Sequence, residues 1–562
     1  MYTFLNRYKK TVLLFIVLAI AVPFLDKPYT IDDPFVLHVA ENILKNPLDP
    51  FYGEIDWHGH IQTVWEATTN PPLLSYYLAL CYILVPSAVI TNYSEIVLHA
   101  AMTLFLFLLA GSMLALSQRF TKGVWLPTLF VLTSCAVMVS SNVMRDVPAA
   151  GLALTGITCF ILGTDCEDWR LLLAGSTLAG LAILTKYSSV ITIPILLLYP
   201  FFKRRYRLML WVLPAFVPLA VWCLHTKLVY GSVHVVYLFL ERRSVAGIPW
   251  RDKLCGAFVI LGMMMYLLPA LLFDVVKRRN WIVMGGGIVI ALAVWRFIQS
   301  YFQGSADGGY LFWGITGGVF LFIGLYEGLH RGIRYIKNMQ DVEAADSLFL
   351  FAWLCAPVLF SVIFIPFQAV RHQILALPPL AILGIRYLQR EPRGNIVVQR
   401  IILITFLCIQ TVIGYVVHIA DYAFAECHRE FAEYARENWV SDDYETWYVG
   451  HWGWKFYAQN AGFRMVHRDG EFPKEGDILL KPVVVHTGDV FSKNPLFEKR
   501  LKQVDKKVYS SRLPIRTMNW NGASFYAVID RHIPYRFFQK LDLETMYVYR
   551  VGPPIDESET RS

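Results

Sequence analysis

Apolar positions fall in fourteen runs along the chain: 11–25, 71–90, 95–117, 124–143, 148–164, 171–185, 188–202, 208–225, 253–273, 281–298, 310–329, 348–366, 372–389 and 400–419. The runs are continuous rather than alternating and mostly too long for strands, which predicts helices; about 20 such residues cross a bilayer. Residues 34–45 differ. Phe35, Val39, Ile43 and Leu44 share one side, predicting a short amphipathic helix lying on the membrane surface. After residue 420 the runs shorten and charges multiply. Glu445–Val449 and Asp477–Leu480 read as strands, and 423–438 as a helix. The expected fold is a mainly α polytopic membrane protein of about 13 transmembrane helices, with a small C-terminal soluble α/β domain. The expected division is a membrane module over 1–419, containing an outer loop at 26–70, and an extracytoplasmic domain over 420–562.

Composition agrees. Of 562 residues 56% are hydrophobic and 17% charged, which excludes a soluble chain. The net charge of +8 does not mark a nucleic-acid binder, because the cations cluster in short links between apolar runs: Lys9-Lys10, Lys203-Arg204-Arg205, Lys277-Arg278-Arg279, and Arg331, Arg334 and Lys337. Cytoplasmic loops carry this pattern. With these clusters inside, residues 26–70, Arg145-Asp146, Lys186, Arg371 and everything after about 420 lie outside. An inside N-terminus and an outside C-terminal part require an odd number of crossings. The run 71–90, opening on Asn70-Pro71-Pro72, is the one expected not to cross. The first run is read as an uncleaved anchor. The nine cysteines include no C-x-x-C pair, so neither a disulfide framework nor a cysteine zinc site is expected.

The outer loop holds eight acidic and two basic residues. Asp32 and Asp33 stand together just past the first run. Asp before Pro34 is a good helix start, so capping accounts for one carboxylate. Two adjacent carboxylates also shift each other's pKa, and an ionised one can take a proton from an attacking hydroxyl. His58 and His60 lie near Asp56 and Glu66; solvated loop histidines and a metal site are both open. Arg145-Asp146 between two runs reads as a surface ion pair or as an Asp that orients hydroxyls. Lys186 and Arg371 face outside against the charge rule, and Arg371 opens a helix, where a fork of donors and free N–H groups suits a phosphate.

The ordered set Asp32-Asp33, Pro71-Pro72-Leu73, Asp146-Val147-Pro148, Gly180 to Lys186 and Arg371 to Leu380 resembles the GT-C membrane glycosyltransferases. The nearest groups are bacterial relatives of the protein O-mannosyltransferases and of the lipid A aminoarabinose transferase. Gly450 to Tyr457 also looks like outer-domain sequence of bacterial relatives. The family's acidic pair is usually Asp-Glu, and aminoarabinose transferases place Lys where this chain has Asn70. The resemblance implies an inverting transferase at the outer face of a bacterial inner membrane, with a sugar on a polyprenyl phosphate as donor and a hydroxyl of a lipid, glycan or protein as acceptor. It implies Asp32 as the base, Asp33 and Asp146 as positioning carboxylates, and Lys186 and Arg371 on the leaving phosphate. Glu66, Asn70 and His372, beside these motifs, would position substrate. No cofactor is required, and a divalent cation is left open. No nucleotide enters, and the chain has no Gly-rich phosphate loop.

A transporter or flippase of lipid-linked or anionic substrates is the alternative, since charges at membrane depth mark ion paths. Such proteins commonly carry inverted repeats, and this chain shows none. A scaffold acting through the region beyond 420 is a third reading.

Overall fold

The computed structural model describes residues 7–554, apart from residues 58, 241–247, 305, 340, 390–395, 486, 488, 489, 493, 520–522, 525, 530, 531 and 538–541. Seven of its helices are long and apolar enough to cross a membrane: Ser94–Phe120, Asp146–Cys166, Tyr206–Tyr230, Trp281–Tyr301, Gly308–Tyr335, Val342–Phe364 and Ile396–Asn438. Trp250–Met264 and Leu268–Lys277, bent by 85° at their junction, make up to eight. The other apolar runs form shorter or interrupted helices, so an expectation of about 13 rests on those. Leu73–Leu84 has 12 residues. At 1.5 Å per residue it spans about 18 Å, short of the roughly 30 Å of hydrocarbon.

The outward faces of these helices are apolar. Trp281–Tyr301 exposes Ile282, Ile288, Val289 and Leu292, and Tyr206–Tyr230 exposes Leu210, Val217, Val221 and Leu228. Apolar patches this extensive are lipid surfaces in a multi-pass membrane protein.

Ionic side chains gather at the two ends of the bundle. At one end Arg119 bonds Asp165 (2.5 Å) and Asp346 (2.9 Å), and Lys203 reaches Asp346 at 2.5 Å. Arg331 pairs with Glu327 and Glu343 beside Arg386. These include members of the clusters read as cytoplasmic. Asp165 lies near the end of the helix Asp146–Cys166 and Asp146 begins it. About 28 Å of helix therefore separates the two carboxylates, close to one hydrocarbon thickness.

Beyond the membrane helices a five-stranded sheet runs in the order Arg464–Met465, Thr446–Tyr448, Ile478–Pro482, Asp542–Val551, Leu501–Ser510. The first three strands are parallel and the last two join antiparallel. Both expected strands are present. The division expected at 419/420 is marked by no backbone break: Ile396–Asn438 is one helix of 43 residues. The two parts also share a sheet, in which Gln368–Ala369 pairs with Ala527–Val528. A buried ion pair joins them as well. Lys27 bonds Asp421, their side chains 0% and 1% exposed, and Lys27 Nζ donates to Asn142 Oδ1 at 2.7 Å.

Candidate active site

Two antiparallel helices build the floor. Asp146–Cys166 and Trp169–Thr185 are joined by a tight turn at Glu167, which adopts φ +55°, and Asp168, whose carboxylate caps Arg170 N at 2.9 Å. Gly156 and Gly175 let the backbones touch, since a Cβ on either would stand 2.7 Å from the other's carbonyl oxygen. Small residues serve this close approach in membrane helices. A hairpin folded at 167–168 brings its two open ends together. Asp146 thus meets Lys186, with Nζ–Oδ1 2.5 Å.

Arg371 arrives from the opposite side. It sits on the 3-10 turn Val370–Ala376, directly after the shared strand. Val370 N donates to Tyr526 O at 2.8 Å. The buried amides of Gln368 and Gln373 donate to Ser361 O (3.0 Å) and Ser361 Oγ (2.6 Å), fastening the turn to the helix Val342–Phe364. The guanidinium lies 3.8 Å from Asp146 and 3.9 Å from Asp32.

The acidic pair is split by the helix it starts. Asp33–Lys45 is the predicted loop helix, with Asp32 at its N-cap. Asp32 makes no capping bond and its side chain is 43% exposed. An N-cap Asp commonly accepts from the first turn; here the carboxylate is left for Arg371 and solvent. Ile31 before it adopts φ +44°. A β-branched residue in the left-handed region is strained, and such strain clusters at functional sites. Asp33 points the other way. It is fully buried, its Oδ2 accepts from Thr30 N at 2.8 Å, and Oδ1 has no partner among the described residues. Burial pushes its carboxyl up to about 8, against the Thr30 N–H and the Lys27 charge. Asp33, expected as a positioning carboxylate, has no solvent face and lines neither the cavity of Asp146, Lys186 and Arg371 nor the larger one described below.

The loop ahead of the pair is held by the C-terminal domain. Tyr29 N donates to Tyr457 Oη at 2.8 Å, and a Cβ on Gly453 would stand 2.1 Å from Tyr29 O. Lys27, two residues earlier, carries the buried pair with Asp421.

Asp146, Lys186, Arg371 and His372 line one cavity of about 40 Å³, whose further lining is mostly apolar, with Ala149, Ala150, Ile191, Pro357, Phe360 and Leu375, and includes Ser188, Ser189 and Ser361. That is room for a water or two, so a sugar phosphate enters only if the walls part. His372 Nδ1 bonds Phe367 O at 3.1 Å, and burial beside Lys186 and Arg371 holds its ring well below the usual histidine range, hence neutral. Glu66 and Asn70 line neither this cavity nor the larger one described below. Glu66 closes a capping box with Thr63, and Asn70 Nδ2 donates to Thr69 Oγ1 at 2.9 Å. His58 lies outside the described residues, and among those described no group of three His, Cys, Asp or Glu side chains could hold a metal.

Of the two expectations for Arg145-Asp146, the surface ion pair does not form. In the fold Arg145 is buried, 9% exposed, and Asp146 turns to Lys186 and Arg371 instead. The Arg145 Nε and Nη2 atoms have no acceptor among the described residues. Burial pushes its guanidinium down to about 10, opposed by Asp32 and Asp146, which leaves it charged near neutrality. A lone Arg beside an Asp is too common a pattern to reveal burial. Lys27 and Asp421, 394 positions apart, gave no local signal either.

No family model matches the chain, and no curated protein matches it. Among solved structures, the fold is similar to ArnT from Cupriavidus metallidurans in the apo state, at 14% identity and a TM-score of 0.39, over 97% of this chain and 98% of that one. It is also similar to the archaeal oligosaccharyltransferase AglB from Archaeoglobus fulgidus, in a complex with an inhibitory peptide and a dolichol-phosphate, at 12% identity and a TM-score of 0.45, over 90% of this chain and 74% of that one. At these TM-scores neither likeness carries an argument, and the functional reading rests on the residues of this chain.

Proposed function

We propose that this protein is an inverting GT-C glycosyltransferase that moves a sugar from a polyprenyl phosphate to an acceptor hydroxyl at the outer face of a membrane, in a bacterium the inner membrane. The observation that carries the reading is a cavity lined by Asp146, Lys186 and Arg371 together with apolar residues and three serines, with the half-exposed carboxylate of Asp32 3.9 Å from Arg371. Three cations, Arg145, Lys186 and Arg371, face two carboxylates, Asp32 and Asp146, while Asp33 is held largely protonated. The excess positive charge suits a phosphodiester, and the apolar wall between the helices suits a prenyl chain.

In this mechanism Asp32 takes the proton of the acceptor hydroxyl. The oxygen attacks the anomeric carbon from the side opposite the phosphate, the C–O bond to phosphate breaks, and the configuration inverts. Lys186 and Arg371 neutralise the charge that develops on the departing lipid phosphate, the electrostatic part of catalysis. The acceptor is a lipid, glycan or protein.

Transfer from a panel of radiolabelled polyprenyl-phosphate sugars, in purified membranes with native acceptors, tests the reading. Transfer by wild type that collapses in Asp32→Asn at matched expression supports it. No transfer from any donor by folded protein sinks it in favour of transport, and transfer unaffected by the substitution removes Asp32 as the base.

A further inference from the structure

A second cavity, of about 680 Å³, opens where the outer loop meets the C-terminal domain. One wall is the loop helix, through Pro34, Leu37, His38 and Glu41, the i, i+3, i+4, i+7 face of a helix. This stripe begins one residue after the Asp32-Asp33 pair. The hairpin of Glu54–Asp56 and Ile61–Thr63, with Trp57 at its bend, makes a second wall. The third comes from the C-terminal domain and includes Trp447, Phe456 and Asn460.

The cations in this cavity are already bonded. Arg464 bonds Glu445 (2.8 Å) and Glu471 (2.7 Å) and lies 4.3 Å over the Trp447 ring. Lys455 Nζ donates to Asp56 O at 2.5 Å. Asp56 accepts from Gly59 N and pairs with His467, each at 2.7 Å. What remains for a ligand is the carboxylates of Glu41 and Glu54 and a set of neutral groups. Trp447 Nε1 and His38 Nε2 are buried ring nitrogens with no partner among the described residues. Burial holds His38 near 4, so the imidazole both donates and accepts. Gln459 and Asn460 are exposed, and Trp57 and Phe456 are half-buried aromatic members of the lining. Aromatic side chains together with amides, an imidazole and carboxylates match a ligand with apolar faces and many hydroxyls. A phosphate would need cations that are already bonded, and a prenyl chain would strand the polar groups. A peptide adding to the sheet within this cavity would find the two-residue edge strand Arg464–Met465, since the longer edge strand Leu501–Ser510 does not line it.

We propose that this cavity holds the glycan part of the acceptor, with the hydroxyl to be glycosylated lying at the Pro34 end beside Asp32. The proposal rests on the transferase reading and names its acceptor class. The full-length protein in nanodiscs, without donor, is titrated by saturation-transfer NMR with mannotriose, cellotriose and chitotriose, and with a serine-containing tripeptide. At least one trisaccharide should bind saturably. Its Kd should rise about tenfold in Trp57→Ala and severalfold in Asn460→Ala, an exposed position where the fold is safe. In the transfer assay the same variants should raise the acceptor KM and leave kcat unchanged. Binding of the tripeptide alone, no trisaccharide binding, or equal binding by wild type and both variants overturns the proposal. Asp32-dependent transfer with an acceptor KM untouched by both variants overturns it too, and leaves the transferase standing. Variant-sensitive saccharide binding without any Asp32-dependent transfer sinks the transferase reading, and the acceptor role with it.

Discussion

The Arg371 guanidinium lies 3.9 Å from the Asp32 carboxylate and 3.8 Å from that of Asp146. One cation thus links the candidate base to the candidate phosphate site. The contact to Asp32 is long and half-solvated, weak enough for a substrate to replace it. A planar fork can serve two carboxylates, or one carboxylate and a phosphate, where an ammonium serves one direction at a time.

Arg371→Lys should therefore raise the KM for the lipid-phosphate donor by roughly tenfold to a hundredfold while the chain folds normally. Steady-state kinetics against a titrated donor checks it. An unchanged donor KM would remove Arg371 from the phosphate site.

Asp32→Asn should lower kcat by at least about 10²-fold with little change in melting temperature, because the carboxylate makes no capping bond. A large melting shift would assign Asp32 to the fold instead.

Asp33 makes stability depend on pH. Its carboxyl titrates near 8 when folded and near 3.9 when unfolded. Between those values the folded state holds a proton that the unfolded state has lost, so stability falls as pH rises from about 4 to about 8, by up to about 1.4 kcal/mol per unit. Melting curves of wild type and Asp33→Asn across this range should differ in slope, the variant being flatter. Parallel curves would contradict the buried, protonated state.

Gly453→Ala should impair transfer although Gly453 touches no proposed substrate. The new methyl would meet Tyr29 O at 2.1 Å and push the loop that carries Asp32. Overpacking of this kind typically costs about 1–3 kcal/mol. Activity assayed well below the melting point should fall about tenfold or more; full activity there would show that the loop position does not matter.

Lys27→Met should destabilise the protein by about 3–5 kcal/mol, since it strands Asp421 without its charge partner. The double variant Lys27→Met with Asp421→Leu should recover much of the loss. Thermal unfolding of the three proteins in one detergent decides it, and additive losses would refute a coupled pair.

By itself the sequence determined what local pattern can determine. Long apolar runs allow little but membrane helices, Phe35, Val39, Ile43 and Leu44 define the loop helix, and the change of texture after 420 marks the strands. It also singled out Lys186 and Arg371, because cations at helix ends on the outer side run against the topology rule, and Asp146 as a carboxylate between two apolar runs, and the fold brings all three together. Only the tertiary structure decided which member of the acidic pair is presented. Neighbours on a helix point about 100° apart, and the packing of Gly453 on Tyr29 sets Asp32 outward and Asp33 inward. Burial of Arg145 and the pairing of Lys27 with Asp421 likewise depend on chain segments far apart in sequence. Residue identity limits which interactions a side chain can make, but the neighbours that select among them arrive only with packing.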